Sequence, residues 1–96
     1  MSESGDIALA ETKGRGRFHL AVAGGEAELT FVILSDGAMR IERTYVPPAA
    51  RGGEAAMRLV RAAVEKAERE GRKIDPRCAY VARVFDFMPE WAHLRA

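Results

Sequence analysis

The sequence predicts an α+β domain, and three observations predict it. Between Phe18 and Val46, apolar and polar residues alternate in three runs separated by glycine-containing turns. Pro47-Pro48 ends that region, after which the apolar spacing changes from two to three or four residues as far as Ala67. Beyond Gly71 come a short strand-like run and a second helical repeat. Strands therefore precede helices, with one strand set between the two helices.

Taken in order, residues 1–5 are small and polar and are expected to be loose. Residues 7–10 are weakly apolar and either add a short strand or fray. A flexible leader is thus expected over 1–12 and a single domain over 13–96. Lys13, Arg15 and Arg17 alternate with glycines and read as a solvated edge. Phe18, Leu20 and Val22 mark the first firm strand, and Gly24-Gly25 a tight turn after it. The second strand spans about 26–34, with Ala27, Leu29, Phe31 and Ile33 on one face. Asp36-Gly37 makes the next hairpin, and the third strand spans 38–46.

The third strand changes parity. Met39 and Ile41 share a face, but Thr44 and Val46 fall on the other one. An extra residue near 42–44, as a β-bulge supplies, returns all four to the core; the alternative is a regular strand continued by Tyr45. After Pro47-Pro48 and Arg51-Gly52-Gly53, a helix is expected over 53–70. Ala56, Leu59 or Val60, Ala63, Val64 and Ala67 form its apolar stripe, and Gly71 follows it as a C-cap. Its length suits a right-handed crossover to a parallel fourth strand at 72–74. Asp75-Pro76 has the form of an N-cap with proline at the first helical position, opening a helix that runs to Met88. Pro89 stops it before a last turn holding Trp91 and Leu94.

Composition bounds the function. The 96 residues are 48% hydrophobic and 30% charged, with a net charge of +1. Such a balance belongs to a folded soluble domain and does not draw it to nucleic acid or to an anionic membrane. The single cysteine, Cys78, excludes an internal disulfide. No apolar run reaches signal-peptide or membrane-span length, so the expected location is cytoplasmic. The sequence has no metal-ligand cluster, nucleophile elbow or Walker-type loop. It does have a strand feeding a helix through a glycine loop, where unpaired helix N–H groups and the helix dipole favour a phosphate.

The ordered set of residues resembles the small, single-domain YjdJ-type branch of the GNAT N-acetyltransferase superfamily. The resemblance rests on Ala27-Glu28-Leu29-Thr30-Phe31, then Ile41, Thr44, Val46 and Pro47, then Arg51-Gly52, Ala56 and Leu59. It continues with Pro76, Cys78, Tyr80 and Val81 and closes with Pro89-Glu90-Trp91. It implies a GNAT-like curved sheet, an antiparallel meander plus a parallel fourth strand, with a long crossover helix and a C-terminal helix. It also implies acetyl-CoA as cofactor. The pyrophosphate would rest on the loop and helix start at Arg51, Gly52, Gly53, Glu54, Ala55 and Ala56. The pantetheine arm would lie against Thr44, Tyr45 and Val46, and the reaction would be acetyl transfer to an amine.

Three positions depart from that pattern. Glu54 stands where the loop has glycine, Arg43 where histidine precedes the threonine, and Met88 where histidine precedes the closing Pro-Glu pair. An acid in the first helical turn also complements the dipole, which is the bland reading of Glu54. With both histidines gone, Cys78 and Tyr80 are the candidate catalytic groups. Cys78 would act as acid, relay or transient acyl acceptor at a helix start, or is a small packing residue. Tyr80 would act as an acid, or packs with its hydroxyl wet. Glu42, Asp86, His19 and His93 are read as surface groups. Two functions follow: an acetyl-CoA-dependent N-acetyltransferase for an unknown amine or protein acceptor, or a catalytically impaired domain that binds CoA or another protein. The chain is expected to be a monomer or weak homodimer.

Overall fold

The computed structural model describes residues 7–96; the loose stretch expected at 1–5 lies outside the described residues. The elements are β1 (Ala8–Thr12), β2 (Arg15–Val22), β3 (Gly25–Ile33), β4 (Met39–Tyr45), α1 (Ala55–Glu70), β5 (Ile74–Pro76) and α2 (Ala79–Phe87). Short 3-10 turns at Pro48–Ala50 and Pro89–Leu94 precede α1 and follow α2. One five-stranded sheet runs in the order β1-β2-β3-β4-β5, antiparallel except for the parallel pair β4 and β5. The α+β class, the crossover helix and the parallel last strand stand as expected.

Two local expectations are corrected. Of the alternatives for residues 7–10, the strand forms, and residues 8–12 of the expected leader are a paired edge strand. The hairpin is closed by Lys13 at φ 53° and Gly14 at φ 77°, a mirror-image turn that matches the strand twist. Lys13 is not a residue that advertises such a turn, so the sequence concealed it. Near the other end, Asp75-Pro76 does not cap a helix. Asp75 and Pro76 continue β5 opposite Arg40 and Ile41, and α2 starts only at Ala79 with Cys78 as its N-cap residue. Asp75 binds Arg40 across the sheet at 3.2 Å, and proline is tolerated because this short strand lies at the sheet edge.

One face of the sheet carries the core. Phe18, Leu20, Leu29, Phe31, Met39 and Ile41 pack under Leu59, Val60, Ala63, Val64 and Ala67 of α1, and Val81, Phe85 and Trp91 extend the same cluster. Each such large side chain contributes about 1.5–3 kcal/mol, while surface ion pairs contribute about 0–1 kcal/mol apiece. Core burial therefore holds the fold. Phe31 lies across Gly16, where an added Cβ would stand 2.1 Å from the ring. Gly71 closes α1 at φ 69°, its N–H bonding back to the last turn.

Lys66 is the buried charge, 5% exposed on the inner face of α1. It reaches Glu11 on β1 at 3.1 Å and Glu70 at 2.5 Å, tying the edge strand to the helix. On the far edge, Arg95 bridges to Ile74 and the Ala96 N–H donates to the Ile74 carbonyl at 2.7 Å.

The parity change in β4 is a bulge. Phe31 faces Ile41 but Thr30 faces Arg43, leaving Glu42 as the extra residue. Thr44 thereby lies opposite Leu29, while Arg43 and Tyr45 lie opposite Thr30 and Glu28.

Candidate functional site

The bulge has a consequence at the β4–β5 seam. Pairing with β5 covers only Met39, Arg40 and Ile41. The Ile41 carbonyl then accepts the amides of both Arg77, at 3.1 Å, and Cys78, at 3.0 Å, and the chain turns away into α2. From Glu42 to the end of β4 the strand pairs with β3 alone. The two strands part into a wedge, with the end of β4 on one side and the start of α2 on the other.

Side chains from both sides meet in this wedge. The Cys78 thiol donates to the Thr44 hydroxyl at 3.7 Å. Tyr80 sits two residues further along, half-buried against the core cluster. Burial, and secondarily the neighbouring Cys78, push the Tyr80 phenol above its ordinary pKa, so it keeps its proton through neutral pH. On the outer side of the strand end, the Tyr45 ring is clasped by Arg43, 5.3 Å from its centroid, and Arg51, at 5.8 Å. Arg43 is itself held by Glu28 at 3.0 Å, and Glu28 also binds Arg17.

The loop into α1 stands beside the strand end. Arg51 donates through Nε to the Val46 carbonyl at 2.8 Å. Residues 51–54 are exposed, and Gly52 adopts φ 88° with open space around it, so backbone conformation selects glycine there. Helix α1 begins at Ala55, two residues later than expected. No side chain caps its first turn and no acid lies within it. The Glu54 carbonyl accepts the Arg58 amide at 2.9 Å, but its carboxylate caps nothing and points outward. Uncapped amides at a helix start, reached through a glycine turn, can receive a diphosphate. Ala55 turns its side chain into the core and Ala56 is half-buried, so these two offer backbone only.

The structure thus brings Thr44 to Cys78 on one side of β4, and Tyr45 and Val46 to Arg51 at the strand end. Gly52, Gly53 and Glu54 are exposed in the loop beyond. The remaining titratable candidates lie elsewhere: His19 binds Glu26 at 3.1 Å, Asp86 binds Arg95 at 3.0 Å, His93 lies 4.0 Å from Glu68, and Glu42 is the exposed bulge residue. Sequence reasoning missed Arg43 as part of the site, having noted it only as a departure. Its position two residues before Tyr45, on the same strand face, was the available signal. The Arg51 contact had none, because it depends on how the loop folds back. Among the described residues no group of three or more His, Cys, Asp or Glu could hold a metal, and no helix is long and apolar enough to cross a membrane.

No match to a curated protein is found. The sequence family described as GCN5-related N-acetyl-transferase matches residues 17–94, spanning β2 through the final 3-10 turn. That span contains the bulge, the wedge, the glycine loop and the start of both helices. With the match covering most of its length, and an α+β fold consistent with it, the chain belongs to the GCN5-related N-acetyltransferase family.

Proposed function

We propose that this chain is an acetyl-CoA-dependent N-acetyltransferase of the small single-domain YjdJ-type branch, acting on an amine of a small molecule or protein. The observation that carries the reading is the wedge: β4 loses β5 after Ile41, and its open end adjoins an uncapped helix start. Bound acetyl-CoA would supply a thioester-activated acetyl group. The amides of Gly52, Gly53, Glu54, Ala55 and Ala56, with the Arg51 guanidinium, would hold its diphosphate. The backbone of Thr44, Tyr45 and Val46 would hold the pantetheine arm in strand-like fashion. The residues fit such a group, since extended backbone, open space and donor polarity occur together.

Proton handling falls to Tyr80 and Cys78. A phenol kept protonated by burial is suited to donate to a departing sulfur. Cys78, as a thiolate with the Thr44 hydroxyl donating to it, would accept a proton from the attacking amine. One observation favours the second reading, a CoA-binding or protein-interaction module without turnover. Arg51 occupies the Val46 carbonyl, which the pantetheine arm would need.

Calorimetry and amide shifts with CoA separate the outcomes. Binding confined to residues 44–46, 52–57 and Cys78 is expected, together with acetylation of a general amine panel. Tyr80→Phe should lower kcat on the order of a hundredfold and leave CoA affinity unchanged. Binding without turnover selects the CoA-binding module, and silence at millimolar CoA removes the enzyme reading.

A further inference from the structure

The two edges of the sheet are treated differently. Beyond β5, Arg95 and Ala96 cover the edge by pairing with Ile74. Beyond β1, no backbone bond is made among the described residues, although all five of its residues are exposed. Strand β1 also lacks the usual protections of an open edge: it contains no proline and no bulge, and no lysine points inward from it. Its one charge, Glu11, is already neutralised by Lys66 of its own α1. Helix α1 packs mainly over β2 and β3 and reaches β1 through Lys66. The family match begins at Arg17, after β1.

We infer that β1 pairs antiparallel with β1 of a second copy, joining two sheets into one of ten strands. The hairpin fixes which backbone groups of β1 face outward. With a two-residue loop at Lys13 and Gly14, the closing pair Thr12 and Arg15 exchanges both of its hydrogen bonds. By alternation, Ala10 and Ala8 also bond inward to β2, and Leu9 and Glu11 direct their N–H and C=O outward. A twofold axis through Ala10 places Leu9 opposite the partner's Glu11 and Glu11 opposite the partner's Leu9, so all four residues find complete partners. Small residues, Ala8, Ala10 and Thr12, face each other on the outer side. On the helix side the pairing covers Leu9, one of the two large hydrophobic residues left exposed among the described residues. A second copy is the occupant because the strand is complementary to itself in this register and each Glu11 stays neutralised by its own chain. Five residues per copy make a small interface, and the association is weak and concentration-dependent.

Sedimentation velocity and amide exchange from roughly 10 μM to 1 mM test it. The mass should rise from 10.5 kDa towards twice that value. Exchange at Leu9 and Glu11 should slow with concentration by at least about tenfold, while exchange at Ala8 and Ala10 stays constant. Leu9→Pro, which removes an outward N–H and no bond to β2, should keep the chain monomeric. A single-chain mass with fast exchange at both residues throughout overturns the inference. So does protection independent of concentration, which would mean the chain covers its own edge, or a dimer that survives Leu9→Pro. Because β1 lies outside the wedge, none of these results bears on acetyl-CoA binding.

Discussion

Gly16 and Glu54 show how single positions set limits on stability and binding. Any side chain at Gly16 would enter the Phe31 ring, which in turn packs on Phe18 at 5.7 Å between centroids. Gly16→Ala should therefore destabilise the fold by about 1–3 kcal/mol, a loss readable in a urea titration. Glu54 stands beside the amides proposed for the diphosphate, but its side chain is exposed and has no ion-pair partner among those found in the described residues. Solvent screens it, so its opposition to an anionic ligand is modest. Glu54→Gln should tighten CoA binding by roughly three- to tenfold in calorimetry. An unchanged affinity would mean that the carboxylate lies beyond effective range of the ligand. Arg43 is also settled at this scale: clasping Tyr45 and bound to Glu28, it fills a structural place where the resemblance led one to expect a histidine.

Two elements are joined through one buried cation. Lys66 ties α1 to β1, and burial alone would lower its pKa; the carboxylates of Glu70 and Glu11 outweigh this and raise it. Bonding to Lys66, and then to Arg72, lowers the Glu70 pKa. The lysine contribution is present below the ordinary lysine pKa and is lost as pH rises through the raised value. The glutamate contribution is present above the ordinary glutamate pKa and is lost as pH falls through the lowered value. The cluster is thus fully effective between about pH 5 and pH 10. Lys66→Met should cost about 1–2 kcal/mol in that plateau, discounted because both carboxylates remain about one-third exposed. Comparing denaturation midpoints at pH 7 and pH 3 checks this, since the difference between the two proteins should shrink at the acid end.

The molecule as a whole depends on one core. Its radius of gyration, 12.8 Å, is close to the roughly 12.5 Å expected of a compact chain this long. A domain of this size retains only about 5–10 kcal/mol of net stability. Leu59 is fully buried between α1 and the sheet, and Leu59→Ala should cost about 2–4 kcal/mol. The expected fall in Tm exceeds about 10 °C, as a single cooperative transition in calorimetry.

Much of this architecture was legible where the controlling interactions are local. Asp36 accepts the Ala38 amide at 2.9 Å within its own turn, so the hairpin was readable from Asp36-Gly37. The parity of Met39, Ile41, Thr44 and Val46 pointed to the bulge, because a half-buried strand keeps its apolar set on one face. The pairing of Thr30 with Arg43 and Phe31 with Ile41 decided it against a regular strand. Local signals failed where distant partners outweighed them. Asp75-Pro76 reads as a helix start, but the ladder with β4 and the Arg40 contact extend the strand through it. β1 has little intrinsic signal and exists because β2 and Lys66 hold it. By itself the sequence determined the order of elements from β2 onward, the fold class and a glycine loop feeding a helix, and it pointed to the bulge, since periodicity and turn chemistry act within a few residues. Only the tertiary structure decided that β5 stops at Ile41, that Thr44 meets Cys78, and that Arg43 and Arg51 close on Tyr45. Those contacts join segments remote in the chain, and their geometry depends on how the packed sheet and helices come together.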